Sequence, residues 1–402
     1  MIRRDKYLEK ITPFIDKPVI KVITGLRRCG KSTFAKLLIQ ELQSKKISPK
    51  NIVYINKDSL EYDFIANYKD LYQYVTKKVS KIRGKKYIIV DEVQEIESWE
   101  KAITSFFNDS VADIYITGSN SRMLSSELAT LLTGRYIEFH LNTLTFTEHL
   151  KFRGKDRNDE EKEFTNYLKY GGLPGIHQME FNDEVISQYI YAIYSTILLK
   201  DVVAKNQIRD VVLLERIVKY IADNCGNITT AKGISNFLKS RRISCSVDTI
   251  MNYIQWLIDS YIIYKVLRYD IKGKKQLELY EKYYLGDIGF IFSILGNKFD
   301  DISGKLENIV FLELISRGYK VSIGKLYDKE VDFIAVKSER KIYFQVAYML
   351  SDEKVIEREF GVFNSIKDNY TKIVLSLDKF FLGEKDGVKW YNLIDFLQKK
   401  DF

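Results

Sequence analysis

Gly25-Leu26-Arg27-Arg28-Cys29-Gly30-Lys31-Ser32 reads G-x-x-x-x-G-K-S, the pattern of a loop that cradles phosphate. An apolar run, Val19-Ile20-Lys21-Val22-Ile23-Thr24, precedes it, and a helical stretch, Thr33-Phe34-Ala35-Lys36-Leu37-Leu38, follows. Successive backbone N–H groups of such a loop point into one concavity and hold anionic oxygens. The helix behind adds the positive end of its dipole. Gly25 through Thr33 are therefore the expected nucleotide-binding residues. Lys31 supplies a point charge for the β- and γ-phosphates, and Ser32 a hydroxyl for Mg²⁺. Cys29, inside the loop, would make the site oxidisable if reactive, and reads more readily as a small space-filling residue.

A second signature follows at Tyr87-Ile88-Ile89-Val90-Asp91-Glu92. Four apolar residues in a row suit a strand buried on both faces, as in a parallel sheet. The carboxyl end of such a strand is where α/β sheets bind ligands. Asp91 is expected to hold hydrated Mg²⁺. Glu92 fits the general base that orients the attacking water.

A third strand, Asp113-Ile114-Tyr115-Ile116-Thr117, ends in Gly118-Ser119-Asn120-Ser121. A polar side chain there can lie between the carboxylates and the phosphate loop. Asn120 or Ser119 would then sense the γ-phosphate or place the water; a turn capped at Ser121 explains the same residues. Arg135 reads equally as an arginine finger or sensor and as a solvated arginine at a strand start.

The chain has 402 residues, enough for two or three domains. Its three cysteines (Cys29, Cys225, Cys245) form no C-x-x-C pair, which argues against a disulfide framework or zinc ribbon. Three dispersed histidines argue against a histidine metal site. No apolar run approaches a membrane span, and the N-terminus lacks a secretory stretch, so a cytoplasmic protein is expected. The net charge of +9 leans toward nucleic acid, although lysines and acids are intermixed.

Residues 1–142 alternate strands (Val19–Thr24, Asn51–Asn56, Tyr87–Asp91, Ala112–Thr117, Tyr136–Leu141) with helices such as Tyr68–Arg83 and Trp99–Asn108. This predicts an α/β fold, a doubly wound parallel sheet of the P-loop NTPase type. Residues 143–208 read as a helical lid broken at Gly171-Gly172-Leu173-Pro174-Gly175. Residues 209–286 read as three helices and a basic hairpin, a winged helix-turn-helix. Lys239, Arg241, Arg242, Lys272, Lys274 and Lys275 would meet phosphates there. Its third helix offers Asn252 and Gln255 to base edges but no arginine.

Residues 287–402 turn α/β again. Tandem strands with Asp332 and Gln345, after a helix bearing Glu307, fit the metal site of a restriction-endonuclease-like fold. There Glu307, Asp332 and Gln345 would be Mg²⁺ ligands. Position 347, where a lysine belongs, is Ala347, so the site reads as degraded and retained for binding. Lys325 or Lys337 are alternative lysines for it.

In their order, Thr24–Ser32, Val90-Asp91-Glu92-Val93-Gln94, Thr117-Gly118-Ser119, Thr133-Gly134-Arg135, Tyr170–Pro174, Val331-Asp332-Phe333 and Gln345-Val346-Ala347-Tyr348 resemble a bacterial and archaeal family of AAA-type ATPases. The resemblance spans nearly the whole chain. It implies that Lys31, Ser32, Asp91 and Glu92 serve ATP, Mg²⁺ and water activation, and that the nucleotide is ATP. It leaves the substrate of the C-terminal half open. The expected function is an Mg²⁺-dependent ATPase acting as a nucleic-acid-associated switch or motor. A signalling or scaffold ATPase that recognises a protein partner is the alternative, and an ATP-gated nuclease ranks third. Rings are common among such ATPases, so a homo-oligomer is an open expectation.

Overall fold

A computed structural model describes residues 2–124, 134–154, 159–296, 302–350, 352–380 and 383–399. Thr133, part of the Thr133-Gly134-Arg135 motif, lies outside these. Two compact units emerge. The first comprises Met1–Asn142 together with Asp259–Tyr261; the second comprises Thr143–Ile258 and Ile262–Phe402.

The first unit is built on five strands: β1 (Ile20–Thr24), β2 (Ile52–Asn56), β3 (Tyr87–Asp91), β4 (Asp113–Gly118) and β5 (Tyr136–His140). All pair in parallel, in the order β2-β3-β4-β1-β5. Parallel strands must be covered on both faces. One face receives the helices Tyr68–Val79 and Trp99–Asn108, whose Leu71, Val75, Ile103 and Phe106 close on Ile20, Val22, Ile88, Val90, Ile114 and Ile116. Helix Lys31–Ser44 also packs on the sheet, against β3 and β4. The helix at Tyr68 starts where it does because Asn67 and Asp70 cap each other's backbone N–H groups.

The decisive feature is that β4 separates β1 from β3. The phosphate loop after β1 and the acidic pair after β3 therefore flank the end of a third strand. Thr117 and Ser119 stand at that end.

The second unit is helical before it is sheet-like. Helices run Phe146–Arg153, Glu160–Tyr170 and Asp183–Thr196, with a π-helical continuation Ile197–Ala204, then Val211–Asp223, Ala231–Ser240 and Val247–Asp259. The glycines at the predicted break are structural. Gly171 has φ +75°, and a Cβ there would come within 1.9 Å of Asp287 Oδ1; one at Gly172 would meet Leu144 O at 2.2 Å. Asp287 accepts hydrogen bonds from the N–H groups of Gly172 and Gly289, both at 2.9 Å.

Eight strands complete this unit: β6 (Ile263–Asp270), β7 (Lys275–Leu285), β8 (Lys320–Leu326), β9 (Lys329–Lys337), β10 (Arg340–Val346), β11 (Thr371–Ser376), β12 (Gly383–Lys385) and β13 (Val388–Asn392). They form one sheet, ordered β12-β13-β11-β10-β9-β8-β6-β7. The hairpin expected as a wing is thus not free-standing. Its β6 strand pairs in parallel with β8 over Arg268–Asp270, so residues on both sides of position 286 share one sheet. Separation in sequence concealed this: no local pattern announces a parallel pairing across some fifty residues.

Candidate nucleotide-binding site

The loop after β1 needs its glycines. Gly25 has φ +147°, and a Cβ there would stand 2.2 Å from Leu141 O; Gly30 has φ +104°. Arg4 ties the loop down. It is 4% exposed, and its Nη1 donates to Cys29 O at 3.2 Å and Asn142 O at 2.9 Å. Sequence reading gave Arg4 no role, because nothing in its neighbourhood marks a residue that closes a loop 25 positions away. Cys29 is fully buried and burial pushes its thiol above the ordinary value, so it fills space rather than reacts. Arg28 and Thr33 are exposed, and Arg27 is partly buried.

Lys31 opens a 14-residue helix. Its ammonium donates to Gly25 O (3.1 Å) and Leu26 O (3.2 Å) and lies 3.4 Å from Glu92 Oε1. Asp91 is fully buried. It accepts from Tyr54 OH at 3.1 Å, from the Thr117 hydroxyl and from Ser32. Burial raises its carboxyl above the usual range, against the pull of those bonds.

Glu92 sits in the left-handed region, φ +55°, a conformation an ordinary side chain avoids. Its N–H donates to Thr117 Oγ1 at 3.0 Å. Gln94 Nε2 donates to its Oε2 and reaches Ser119 Oγ at 3.5 Å. Burial pushes the Glu92 carboxyl up, but Lys31 and the Gln94 bond outweigh it, and the net shift is downward. Glu92 is therefore ionised at neutral pH and can accept a proton. Thr117 holds both members of the acidic pair, and Gln94 orients the second; the sequence reading placed both in motifs without a role.

Ser119 and Asn120 are buried at the end of β4, as expected for residues beside the loop. Arg135 is not there. In register Ile20 faces Tyr136 and Thr24 faces His140, so Arg135 lies at the opposite end of the sheet from the loop, roughly 16 Å away along five residues of strand. Its Nη1 donates to Asn108 Oδ1 at 2.8 Å and its guanidinium rests 5.8 Å over the Phe107 ring. The expectation of a finger or sensor in its own chain's site is corrected accordingly. His140 takes a place instead. Its Nδ1 is 3.1 Å from Thr24 Oγ1, which donates to Glu138 Oε1 at 2.6 Å. Burial, then the nearby Lys31 charge, pull its pKa down to about 4, so it is neutral.

A hydroxyl and a carboxylate in contact, Ser32 and Asp91, suit a Mg²⁺ ion that keeps most of its waters. Such an ion would neutralise charge between the phosphates. Backbone N–H groups, the helix N-terminus and Lys31 can hold phosphate oxygens.

The second predicted site comes together differently. Glu307 Oε2 accepts from Tyr284 OH at 2.8 Å and lies 3.1 Å from Lys282 Nζ. Lys282 also meets Glu330 Oε1 at 2.7 Å. Asp332 Oδ2 accepts from Val346 N at 2.8 Å, and its own N–H donates to Gln345 Oε1 at 3.3 Å. Burial raises the carboxyls of Glu307 and Asp332, with each other's proximity adding to Asp332. Burial works against the Lys282 charge, yet Glu307, Asp332 and Glu330 outweigh it and hold the ammonium above its ordinary value. A metal does not fit here. Lysine already neutralises the carboxylates, the Gln345 oxygen is spent on backbone, and among the described residues no group of three or more His, Cys, Asp or Glu is placed to hold a metal. Glu307, Asp332 and Gln345 are thus neighbours, as expected, but not a ligand set. The lysine beside these carboxylates, Lys282, stands on β7 and acts as their counter-ion, and Lys337 donates to Arg317 O at 2.9 Å.

A family profile described as an AAA domain matches residues 17–150, and one described as a domain of unknown function (DUF8612) matches residues 161–301. An uncharacterised protein of Haemophilus influenzae is 36% identical over 400 residues, covering 99% of this chain and 98% of its own. An uncharacterised protein of Methanocaldococcus jannaschii is 32% identical over 367 residues, covering 87% of this chain and 79% of its own. Among solved structures, a Walker-type ATPase of Pyrococcus abyssi is similar with a TM-score of 0.48 and 14% identity, over 73% of this chain and 95% of that one. With the loop, the acidic pair and the parallel sheet in place, the chain belongs to the family of these two proteins, and its residues 17–150 are an AAA-type P-loop domain.

Proposed function

We propose that this ATPase hydrolyses ATP with Mg²⁺ and works as a nucleic-acid-associated switch or motor. Gly25–Ser32 binds the phosphates, Ser32 and Asp91 hold the metal, and Glu92 takes the proton of the attacking water. Ser119 and Asn120 lie where the γ-phosphate or that water would be sensed. The observation that carries this reading is the placement of Lys31, Ser32, Asp91 and Glu92 around the end of β4. The nucleic-acid half is supported by the net charge of +9 and by exposed Lys239, Arg241, Arg242, Lys272, Lys274 and Lys275. In this reading residues 143–208 form a lid, and the helices and hairpin of 209–286 form a winged helix-turn-helix whose hairpin shares one sheet with the nuclease-like strands of 287–402, kept for binding. No described helix is long and apolar enough to cross a membrane, and a cytoplasmic setting is part of the proposal.

A second reading, a protein-recognising switch, rests on the outer face of helix Val247–Asp259. It exposes Val247 (39%) and Met251 (56%) beside the acidic Asp248, which suits a protein partner better than DNA. Steady-state ATP hydrolysis by wild type and Glu92→Gln, with and without duplex DNA, decides. Stimulation by DNA in wild type alone supports the nucleic-acid reading. Turnover indifferent to DNA at low salt, with no salt-sensitive DNA affinity in any nucleotide state, overturns it in favour of the protein partner.

A further inference from the structure

Three residues of the first unit come from far along the chain. Asp259, Ser260 and Tyr261 end the helix Val247–Asp259 and lead into β6, yet they pack with Met1–Asn142. All three are buried, with exposures of 7%, 1% and 7%. Tyr261 shares a hydrogen bond with Thr24, the residue immediately before the phosphate loop. Its ring lies 4.7 Å from that of His140, which also contacts Thr24. Ser121, just past Ser119 and Asn120 at the end of β4, donates to Asp259 Oδ1 at 3.4 Å. The segment therefore touches both strand ends that border the nucleotide.

The backbone at Tyr261 closes the helix. Ile262 N–H donates to Leu257 O at 3.1 Å, the six-to-one bond that closes a helix C-terminus. In that motif the residue between, here Tyr261, is left-handed, and its φ is +59°. Glycine is the usual occupant, because a Cβ is strained in this conformation. Lys46, Ser110, Gln207 and Arg242 hold the same left-handed place after other helices of this chain, so the case for Tyr261 rests on its side-chain contacts with Thr24 and His140.

We infer that Tyr261 and Asp259 are positioning residues that tie the nucleotide loop to helix 247–258 and to the hairpin 263–285. The inference rests on the ATPase reading and names the route by which nucleotide state reaches the second unit. Thr24 precedes Gly25, whose carbonyl is one of the groups Lys31 holds. When phosphate draws Lys31 and the loop into a new arrangement, Thr24 and the strand end move with them. Tyr261 carries that movement to the last turn of the helix and the first residue of the hairpin. Asp259 does the same from the end of β4.

The test uses the full chain, a non-hydrolysable ATP analogue with Mg²⁺, calorimetric titration, and amide hydrogen exchange. In wild type, saturation with the analogue slows exchange in peptides from 247–258 and 263–285 by about threefold or more, a shift of local opening of the kind ligand coupling produces. Tyr261→Gly places the preferred residue at the helix end, so the cap survives while the side chain is lost. It binds the analogue but loses the exchange change in both segments. Tyr261→Phe keeps the ring on His140, loses the Thr24 bond, and retains only part of the change. An unaltered response in Tyr261→Gly overturns the inference, as does a wild type that binds the analogue without any change in those segments. A wild type that fails to bind the analogue in the titration overturns the ATPase reading itself, and the coupling with it.

Discussion

Each unit contains a buried lysine facing carboxylates, and the two are used differently. Lys31 is held by two backbone carbonyls and stands 3.4 Å from Glu92. Lys282 meets Glu307 and Glu330 at 3.1 and 2.7 Å, with Asp332 adding to its field. Besides one carboxylate at 3.4 Å, Lys31 meets only carbonyls among these partners, which attract an ammonium without neutralising it, so Lys31 keeps charge for a phosphate. Lys282 is fully committed to carboxylates, and a phosphate or a metal ion would have to displace one charge with another. A lysine near acids is thus a binding group or an internal counter-ion according to how completely its charge is already met.

The largest effect is expected at the counter-ion. Lys282→Met leaves buried carboxylates without a cation, and such losses cost about 3–5 kcal/mol. Denaturant unfolding at neutral pH measures it. The loss should shrink at acidic pH, where the carboxylates protonate, and adding Glu307→Gln should recover part of it. A variant as stable as wild type breaks the comparison.

At the nucleotide site the effects should appear in function. Lys31→Ala weakens nucleotide binding and turnover together. Glu92→Gln keeps binding and loses turnover by about 10²-fold or more. Turnover of Glu92→Gln equal to that of wild type removes Glu92 as the base.

A third test sharpens the comparison with a carboxylate that meets no cation among the described residues. Asp287 is fully buried and accepts from Gly172 and Gly289 N–H groups. Burial raises its pKa to about 6 despite those bonds. Because the folded value lies above the unfolded one, its contribution is complete below about pH 4 and is lost as pH rises through about 6, on the order of 3 kcal/mol. Asp287→Asn should flatten the stability profile between pH 4 and 7. An unchanged slope would show that another group carries it.

The strands and acidic pair of the first unit were legible because parallel strands buried on both faces read as apolar runs, and because the loop chemistry is local: Gly25, Gly30, Lys31 and Ser32 adjoin one another. Boundaries shifted only slightly, as with Ile20–Thr24 for Val19–Thr24. Arg135 misled because its short motif says nothing of which end of the strand faces the loop; register alone decides that. Arg4, His140 and Tyr261 were invisible because each meets the site through pairings distant in sequence. Lys282 was missed for the same reason: it reaches Glu307 and Glu330 from a hairpin separated from both in sequence.

The discontinuity of the first unit also bears on how the chain can fold as it is made. Asp259–Tyr261 are separated from Asn142 by residues 143–258, 116 in all. At the usual pace of about 5–20 residues per second, the ribosome needs roughly 6–23 s to deliver them after Asn142 has emerged. During that interval the ends of β1 and β4 lack Tyr261 and Asp259. The nucleotide unit is therefore finished only after much of the second unit has been synthesised, and a fragment ending at residue 142 is an incomplete domain rather than a minimal one.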